Sequence, residues 1–337
     1  MSAPLRVSGS QAVPLVGRRG PLVGRVASLW VTLVVACRLE STTPPVATFS
    51  GSRAFATLQT WLVRPRVLGD PRRGATITML VDDLGHRGAD FVERIEHVAT
   101  DPGGTGDYAL VEIVAHFREH ARRRFVLATH YDIRPWADAD PDRAQHETPI
   151  TGANDGTSGL AVVLELAAPL TERLPADVGF SIVLFDGEEL GHPAVGTNVG
   201  GTGYCFGSKH LATRIERGLH PMLARAELGI VLDMVGDADL RIQIEPGSQA
   251  SHPAFVDHVW GTARALGIDA FDPTMRAAAI VDDHKFLARA GIPSILVIDH
   301  DYDAWHTTRD TIDRVSAASL GQVGTTVLEA IVRWYER

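Results

Sequence analysis

Four short apolar runs, rich in branched residues, constrain the fold of this chain more than any other feature of its sequence. The runs are F-V-L-A at 125–128, F-S-I-V-L-F at 180–185, L-G-I-V-L-D-M-V at 228–235 and S-I-L-V-I at 294–298. Continuous apolar runs of this length are typical of strands that are covered on both faces, as in a mostly parallel sheet. The runs therefore predict strands buried between two outer layers.

Helical patterns separate the apolar runs. One pattern at 158–170 begins at a Thr-Ser cap, a second at 207–217 follows a glycine, and a third at 252–267 ends at a glycine. The last helix carries one apolar stripe at spacings of three and four, formed by Leu320, Val323, Val327, Ile331 and Trp334. This alternation predicts an α/β protein, a three-layer α/β/α sandwich with a mixed, mostly parallel central sheet.

The N-terminal residues differ in composition from the rest of the chain. Residues 1–36 contain arginines without any acidic residue, and an uncharged apolar stretch runs from Val26 to Ala36, directly before Cys37. A basic segment, a short apolar stretch and a small residue are typical of a secretory signal peptide. The stretch is too short to span a bilayer as a helix. The ending V-V-A-C also resembles a bacterial lipoprotein box.

The chain is therefore predicted to have three parts. Residues 1–36 form a signal peptide with Cys37 as the first mature, lipidated residue, residues 37–55 form a flexible tether, and residues 56–337 form a single catalytic domain. Such a protein would be exported, and it would be periplasmic or held at the membrane only through the lipid on Cys37. The alternative is that residues 1–36 reflect a misassigned start or a buried segment.

Charge and cysteine content argue against two classes of protein. The formal net charge of −9 argues against a nucleic-acid partner, because phosphate binding uses clustered Lys and Arg. The two cysteines, Cys37 and Cys205, provide no disulfide framework. The 14 histidines and 41 acidic residues, in contrast, leave ample material for metal ligation.

Acidic residues and histidines follow the apolar runs where the predicted strands end. In chain order they are His130 and Asp132, Asp186 with Glu188 and Glu189, Asp233, and Asp299 with Trp305 and His306 a few positions later. Because ligands bind beyond the carboxyl ends of the strands in open α/β sheets, we expect these residues to meet at one edge. Taken singly, Asp233 has the simpler interpretation of a turn or cap, and His306 that of a surface histidine.

Three residues of this region would complete a zinc site. Asp155 lies on the glycine-rich turn G-A-N-D-G-T-S-G, and Glu189 and His306 follow predicted strands. Zinc binds histidine nitrogen and carboxylate oxygen, and catalytic zinc sites use three protein ligands with one open position. Glu188, next to a ligand, would be free to act as general base and acid.

Other candidates receive simpler interpretations. Asp186 is expected to fix its own turn, Cys205 to be a buried small hydrophobe, and His284 to hydrogen-bond locally. Surface or capping roles are predicted for seven other histidines, and loop positions for three acids near the C-terminus: His146, His192, His210, His220, His252, His258 and His300, with Asp301, Asp303 and Asp310.

Six motifs in a fixed order resemble the zinc exopeptidase and glutaminyl cyclase superfamily. They are T-H-Y-D, G-A-N-D-G-T-S-G, F-D-G-E-E-L, L-D-M-V-G, V-D-D-H and W-H-T, and the likeness covers about residues 56–337. In the aminopeptidases of this superfamily, the resemblance implies two zinc ions that share Asp155. One ion would be bound by His130, Asp155 and Asp233, and the other by Asp155, Glu189 and His306. In the cyclases only the latter three residues bind, and they hold one zinc ion.

Two features favour the cyclase branch. Asp282 in V-D-D-H stands where aminopeptidases commonly carry Ser, and a carboxylate beside Asp233 and Glu188 would share protons and raise at least one pKa of the group. The same network would tie up Asp233 and weaken the case for a second cation. Trp305 directly precedes His306, as in the cyclases, where an aromatic wall packs the glutamine side chain; the alternative is a core tryptophan.

The resemblance therefore implies a zinc-dependent glutaminyl-peptide cyclotransferase that converts N-terminal Gln of peptides or proteins to pyroglutamate and releases ammonia. The implied catalytic residues are Glu188, Asp233 and Asp282, and the implied substrate-binding residues are Ile280, Val281 and Trp305. Two departures concern the substrate pocket: the loop between Glu189 and Gly207 lacks the Trp of animal cyclases, and Val281 replaces a polar residue. The alternatives are a two-zinc aminopeptidase and a metal-free binding domain.

Overall fold

A mixed sheet of six strands organises the fold, which is seen in a computed structural model that describes residues 47–100, 106–191 and 203–337. The strands are β1 (Phe91–Thr100), β2 (Asp107–Phe117), β3 (Arg123–His130), β4 (Val178–Phe185), β5 (Gly229–Asp233) and β8 (Ser294–Ile298). Two further strands, β6 (Ile242–Ile244) and β7 (Phe271–Met275), form a separate two-stranded parallel sheet.

The six strands lie in the order β1-β2-β4-β3-β5-β8. The pairings of β3 with β4, β3 with β5 and β5 with β8 are parallel, whereas β1 with β2 and β2 with β4 are antiparallel. The four predicted apolar runs form the four parallel strands, so the predicted mixed, mostly parallel sheet is confirmed. The third run ends as a strand at Asp233 because Met234 adopts a left-handed conformation with φ of 44°.

Helices cover both faces of the sheet. The α-helices of the described ranges are α1 (Gly51–Leu62), α2 (Arg73–His86), α3 (Ser158–Arg173), α4 (Phe206–Glu216), α5 (Pro246–Ser251), α6 (Pro253–Ala265), α7 (Asp283–Arg289) and α8 (Ala317–Tyr335). Side chains from α1, α2, α3, α6 and α8 share one core with one face of the strands, and those from α4 and α7 share a second core with the other face. This gives the predicted three layers.

Strand side chains alternate between the two cores. On β3, Leu127 belongs to the larger core, whereas Val126 and Ala128 belong to the smaller one. All three are fully buried, which explains why this run is continuously apolar. In the last helix, the predicted stripe packs in the larger core, with Trp334 only partly buried at its end.

The start of the domain differs from the sequence-based boundary. The helix α1 begins at Gly51, and the Ser50 hydroxyl accepts the backbone N–H of Arg53 at 3.3 Å as its cap. Residues 51–55, predicted as the end of a tether, are therefore helical, and the described residues after Pro45 belong to one compact unit. The predicted signal peptide, Cys37 and most of the tether lie outside the described residues. Within the described ranges, no helix is long and apolar enough to cross a membrane.

Candidate active site

The carboxyl ends of the parallel strands carry the predicted polar residues to one edge of the sheet. His130 ends β3, Asp233 ends β5, and Glu188 and Glu189 lie in the turn after β4. A cavity of about 340 Å³ lies at this edge. Nine of the candidate site residues line it: Asp155, Glu188, Glu189, Asp233, Ile280, Val281, Asp282, Trp305 and His306. His300, for which a surface or capping role was predicted, lines it as well.

The three expected zinc ligands face one another in the buried wall of this cavity. His306 Nε2 lies 3.4 Å from Glu189 Oε2 and 3.8 Å from Asp155 Oδ2. Within the described part of the chain, Asp155 Oδ2 has no hydrogen-bond donor although it is buried. A buried carboxylate oxygen without a partner is costly, and a cation bound by one imidazole and two carboxylates removes that cost. The donor set fits zinc.

The second implied ligand set is also assembled. His130 Nε2 lies 3.0 Å from Asp233 Oδ1 and 3.4 Å from Asp155 Oδ1. Burial lowers the pKa of His130, but the surrounding Asp233, Asp132 and Asp155 carboxylates outweigh it and raise that pKa well above its ordinary value. Asp155 therefore lies between the two histidines, as a bridging ligand must.

A buried arginine and two aspartates hold the ligands in place. Asp132 accepts the backbone N–H of Glu188 at 3.3 Å and that of Glu189 at 3.0 Å, which fixes the turn after β4. Arg134 donates to Glu189 Oε2 at 3.2 Å and to both oxygens of Asp138 at 2.6 and 2.9 Å. Asp138 in turn lies 3.5 Å from His306 Nδ1, so it orients that ring from behind.

Asp310 fixes the turn that carries Asp155. Its carboxylate is fully buried and accepts the backbone N–H groups of Asn154 at 2.8 Å and Asp155 at 3.1 Å. It also accepts the Tyr302 hydroxyl at 2.8 Å. Burial raises the pKa of Asp310 to about 6. Asp310 therefore lies in a loop, as predicted, but it holds the Asp155 turn, a role that the sequence analysis missed.

Carboxylates crowd around Glu188. Burial and the nearby Glu189 carboxylate raise the pKa of Glu188 well above its ordinary value. Burial and Asp233 raise the pKa of Asp282 to about 7. Glu188 Oε1 accepts a hydrogen bond from the Cys205 thiol at 3.0 Å, and Cys205 is fully buried, as predicted. This group can hold and exchange protons near neutral pH.

Two aromatic rings lie near the His306 imidazole. The Trp305 ring stacks on the imidazole with centroids 3.8 Å apart and an interplanar angle of 23°. Tyr204 lies near the same imidazole at 6.4 Å with an angle of 17°, and it also lines the cavity. Tyr204 was missed in the sequence, although it belongs to the loop that lacks the expected Trp. It supplies an aromatic side chain from that loop.

The segment with Ile280 and Val281 is anchored by a residue that the sequence analysis also missed. Glu245 is fully buried and accepts the backbone N–H of Ile280 at 3.1 Å. It also accepts the N–H groups of Gly247 at 2.8 Å and Ser248 at 2.5 Å, and it lies 3.2 Å from His284 Nε2. The local role predicted for His284 is thus to pair with Glu245, and the pair fixes one wall of the cavity.

We expect Glu245→Gln to lower the free energy of unfolding at neutral pH. Between about pH 4.5 and 2, the free energy of unfolding of this variant should depend less on pH than that of wild type. Burial raises the pKa of Glu245, but His284, Gly247 and Ser248 outweigh it and lower that pKa from 4.5 to about 2. A lowered carboxylate pKa adds stability above pH 4.5 that is lost as the pH falls through 2, worth about 3 kcal/mol.

Urea unfolding at several pH values measures this effect. The exposed Glu172→Gln is the matched control, and it should change the unfolding free energy by no more than about 0.5 kcal/mol. Equal pH dependence in wild type and Glu245→Gln would contradict the prediction.

Strained backbone is concentrated around the cavity. Four described non-glycine residues have positive φ, and three of them border or line the cavity: Cys205 at 60°, Met234 at 44° and His306 at 54°. Such conformations cost of the order of 1–3 kcal/mol each and persist only where the surrounding structure enforces them.

Comparisons with known proteins agree with this geometry. The model of peptidase family M28 matches residues 112–331. A zinc-dependent exopeptidase from Parabacteroides distasonis ATCC 8503 is 32% identical over 87% of this chain and 100% of its own, with a TM-score of 0.78.

Two proteins of Bacteroides thetaiotaomicron are 31% identical over 87% of this chain and 99% of their own. They are a glutaminyl cyclase bound to N-acetylhistamine, with a TM-score of 0.78, and a leucine aminopeptidase precursor from strain VPI-5482, with a TM-score of 0.77. No curated protein is significantly similar in sequence.

Proposed function

The chain belongs to peptidase family M28, and from this membership and its cavity we propose that it is a zinc-dependent glutaminyl-peptide cyclotransferase. Its substrate would be an N-terminal Gln of a peptide or protein, and its products pyroglutamate and ammonia. Asp155, Glu189 and His306 would hold a single zinc ion, which supplies Lewis-acid polarisation of the substrate γ-carboxamide. Both glutaminyl cyclases and aminopeptidases are among the similar structures. Our preference for the cyclase reaction therefore rests on the residues that line the cavity.

In this reaction Glu188 moves the proton. The neutral α-amine nitrogen bonds to the γ-carbonyl carbon and closes a five-membered lactam, and the Glu188 carboxylate accepts the proton that this nitrogen loses as the bond forms. The γ carbon–nitrogen bond breaks, and Glu188 returns the proton to the leaving ammonia. Asp233 and Asp282 would hold the α-amino group. Trp305, Ile280 and Val281 would enclose the side chain and keep out water.

Asp282 is the observation that carries this proposal. It is 4% exposed and lines the same cavity as Asp233 and Glu188. Resemblance to the superfamily gives aminopeptidases a Ser at this position, whereas the cyclases carry Asp. A carboxylate here adds a hydrogen-bond acceptor for the substrate α-amine, and it can share a proton with Asp233 while Glu188 accepts one. The Trp305 wall supports the same choice.

A two-zinc aminopeptidase is the second candidate, and His130 favours it. The imidazole contacts both Asp155 and Asp233, so a complete second ligand set is available. In that case Glu188 would take a proton from the attacking water, and Asp233 would be a ligand rather than part of the substrate site.

Products distinguish the two functions. The purified protein is offered a Gln-initiated peptide and a Leu anilide in parallel, and we expect ammonia release with lactam formation from the first and no release from the second.

Zinc content distinguishes them as well. His130→Gln should leave the zinc content unchanged if one ion serves the site, and should lower it by one ion per chain if two do. Leu release together with that loss of zinc would overturn the cyclase assignment.

Thermal unfolding of His130→Gln checks that it is folded. His146→Gln is the matched control, since His146 hydrogen-bonds to the backbone carbonyl of Asp140 and does not line the cavity.

A further inference from the structure

A second cluster of metal-ligand side chains lies outside the cavity, between the β1–β2 hairpin and α4. It contains His97 on β1, Glu112 on β2 and His210 on α4, and one ligand atom from each lies within 4.8 Å of the others. None of the three lines the cavity of the active site. His210 was interpreted from the sequence as a surface or capping residue. The structure instead places it against a buried carboxylate.

The distances in this cluster match a shared cation. His97 Nδ1 lies 3.1 Å from Glu112 Oε1, and His210 Nδ1 lies 3.6 Å from Glu112 Oε2. In a tetrahedral zinc shell with bonds of about 2.0–2.1 Å, neighbouring ligand atoms lie roughly 3.3–3.5 Å apart. Both separations are within a few tenths of an ångström of that spacing, and each imidazole presents the same nitrogen, Nδ1.

Glu112 is an unusual residue to bury without a partner. Its side chain is 0% exposed, and within the described ranges neither carboxylate oxygen has a hydrogen bond. The same is true of both ring nitrogens of His97 and of Nδ1 of His210, so even the 3.1 Å contact lacks the direction of a hydrogen bond. Burying a carboxylate in this way is unfavourable, because no donor replaces the lost water.

Protonation of the histidines does not remove this cost. The His97 and His210 rings stack with centroids 4.0 Å apart and an interplanar angle of 25°. Two imidazolium ions at that distance would repel each other, and a single one would leave one oxygen of Glu112 without a partner. One divalent cation would give the carboxylate and both imidazoles a common partner, with the two rings turned so that both Nδ1 lone pairs point at it.

A neighbouring triad shows how the same residue types look when they form an ordinary ion-pair network. Glu93 on β1 lies 2.8 Å from His116 Nε2 and 3.8 Å from His220 Nδ1. Here the other ring nitrogens have partners, since His116 Nδ1 meets the Ser181 hydroxyl at 2.9 Å and His220 Nε2 accepts from Arg214 at 2.9 Å. The Glu93 side chain is also 36% exposed. Solvent and hydrogen bonds thus satisfy that triad, which is a matched control.

We propose that His97, Glu112 and His210 form a second metal site, which binds a divalent transition-metal cation of the zinc type. Two imidazoles and one carboxylate suit zinc and its neighbours rather than calcium or magnesium, which prefer oxygen ligands. The side chains of His97 and His210 are 13% and 26% exposed, so a cation reaches the site from solvent. The bound ion joins the β1–β2 hairpin to α4, the helix that directly follows Tyr204 and Cys205 of the active site.

Zinc counting on three proteins tests this proposal. Wild type, Glu112→Gln and Glu93→Gln are loaded with zinc, dialysed, and analysed for zinc per chain by mass spectrometry. We expect Glu112→Gln to contain one zinc ion fewer than wild type and Glu93→Gln to match wild type. Added zinc should raise the thermal midpoint of wild type more than that of Glu112→Gln. Equal zinc content in wild type and Glu112→Gln would overturn the proposal.

Measurements in chelator check that the variant folds. Without metal, Glu112→Gln should be at least as stable as wild type, because it removes a buried charge that has no hydrogen bond. If Glu112→Gln is less stable than wild type in chelator, then Glu112 has a partner other than a metal and the site is not a metal site.

A further comparison separates this site from the proposed function. In a His306→Ala background, which lacks a ligand of the active site, a zinc ion that depends on Glu112 should still bind. Failure of the peptide assay together with this Glu112-dependent zinc would refute only the cyclase assignment. Loss of the Glu112-dependent zinc with normal cyclisation would refute only the second site.

Discussion

Glu188→Gln is expected to lower kcat for lactam formation by about 10²–10⁴-fold while the zinc content stays unchanged. Gln keeps the size of the side chain and can still accept the hydrogen bond from Cys205, which lies 3.0 Å from Glu188 Oε1. It cannot accept the proton of the α-amine, and so it removes the general base. Glu188 belongs to neither ligand set, which is why zinc should remain.

The neighbouring glutamate provides the matched comparison. Glu189→Gln removes a charge that lies 3.4 Å from His306 Nε2, so it should lose zinc as well as activity. Steady-state kinetics and zinc content of both variants are measured side by side. If Glu188→Gln loses zinc and Glu189→Gln keeps it, the roles of the two residues are reversed.

Asp310→Asn is expected to weaken zinc binding by about 10–100-fold, although Asp310 is not a ligand. One Asp310 oxygen accepts the Asn154 N–H and the Tyr302 hydroxyl, and the other accepts the Asp155 N–H. An amide has only one oxygen, so its NH₂ group must face a backbone donor. The turn that presents Asp155 would shift, and the free energy of unfolding should fall by about 1–3 kcal/mol.

Zinc titration and urea unfolding of the same samples measure both effects. Asp303→Asn is the control, because Asp303 is an acid of the same C-terminal segment whose side chain is 65% exposed. Asp303→Asn should change the free energy of zinc binding and the free energy of unfolding by no more than about 0.5 kcal/mol each. Unchanged zinc affinity in Asp310→Asn would show that Asp155 is held by the rest of its turn.

The parallel strands were predictable because burial on both faces makes their sequences continuously apolar. On β1, by contrast, only Ile95 and Ala99 are buried, and the charged residues Glu93, Arg94 and Glu96 interrupt the apolar pattern. This strand and β2 form the antiparallel edge of the sheet, where pairing depends on contacts between segments rather than on local pattern. The cap at Ser50 likewise lies in a stretch rich in Ser, Thr and Pro that is typical of a tether, and α1 is stabilised by packing against α3 and α8.

The candidate zinc ligands were predictable for a different reason, since Glu189 and His306 lie in short motifs after strands and Asp155 lies in a glycine-rich turn before α3. Asp310 and Glu245 escape such an analysis because a carboxylate that binds backbone N–H groups leaves no signature in the sequence. His210 shows the same limit more sharply. Its partners His97 and Glu112 lie on the hairpin, and only the fold brings that hairpin next to α4.

Three residues in left-handed conformations border the cavity, and this has a consequence for when the site is formed. The left-handed conformations of Cys205, Met234 and His306 cost free energy. This cost arises once, when the chain folds, and not again each time substrate binds. The free energy of packing the sheet and helices thus offsets the cost of these three conformations and keeps the site preorganised before substrate binds. In such an enzyme, mutations far from the cavity that lower the free energy of unfolding would first let these three residues relax to unstrained conformations. Activity would then decline before the protein unfolds.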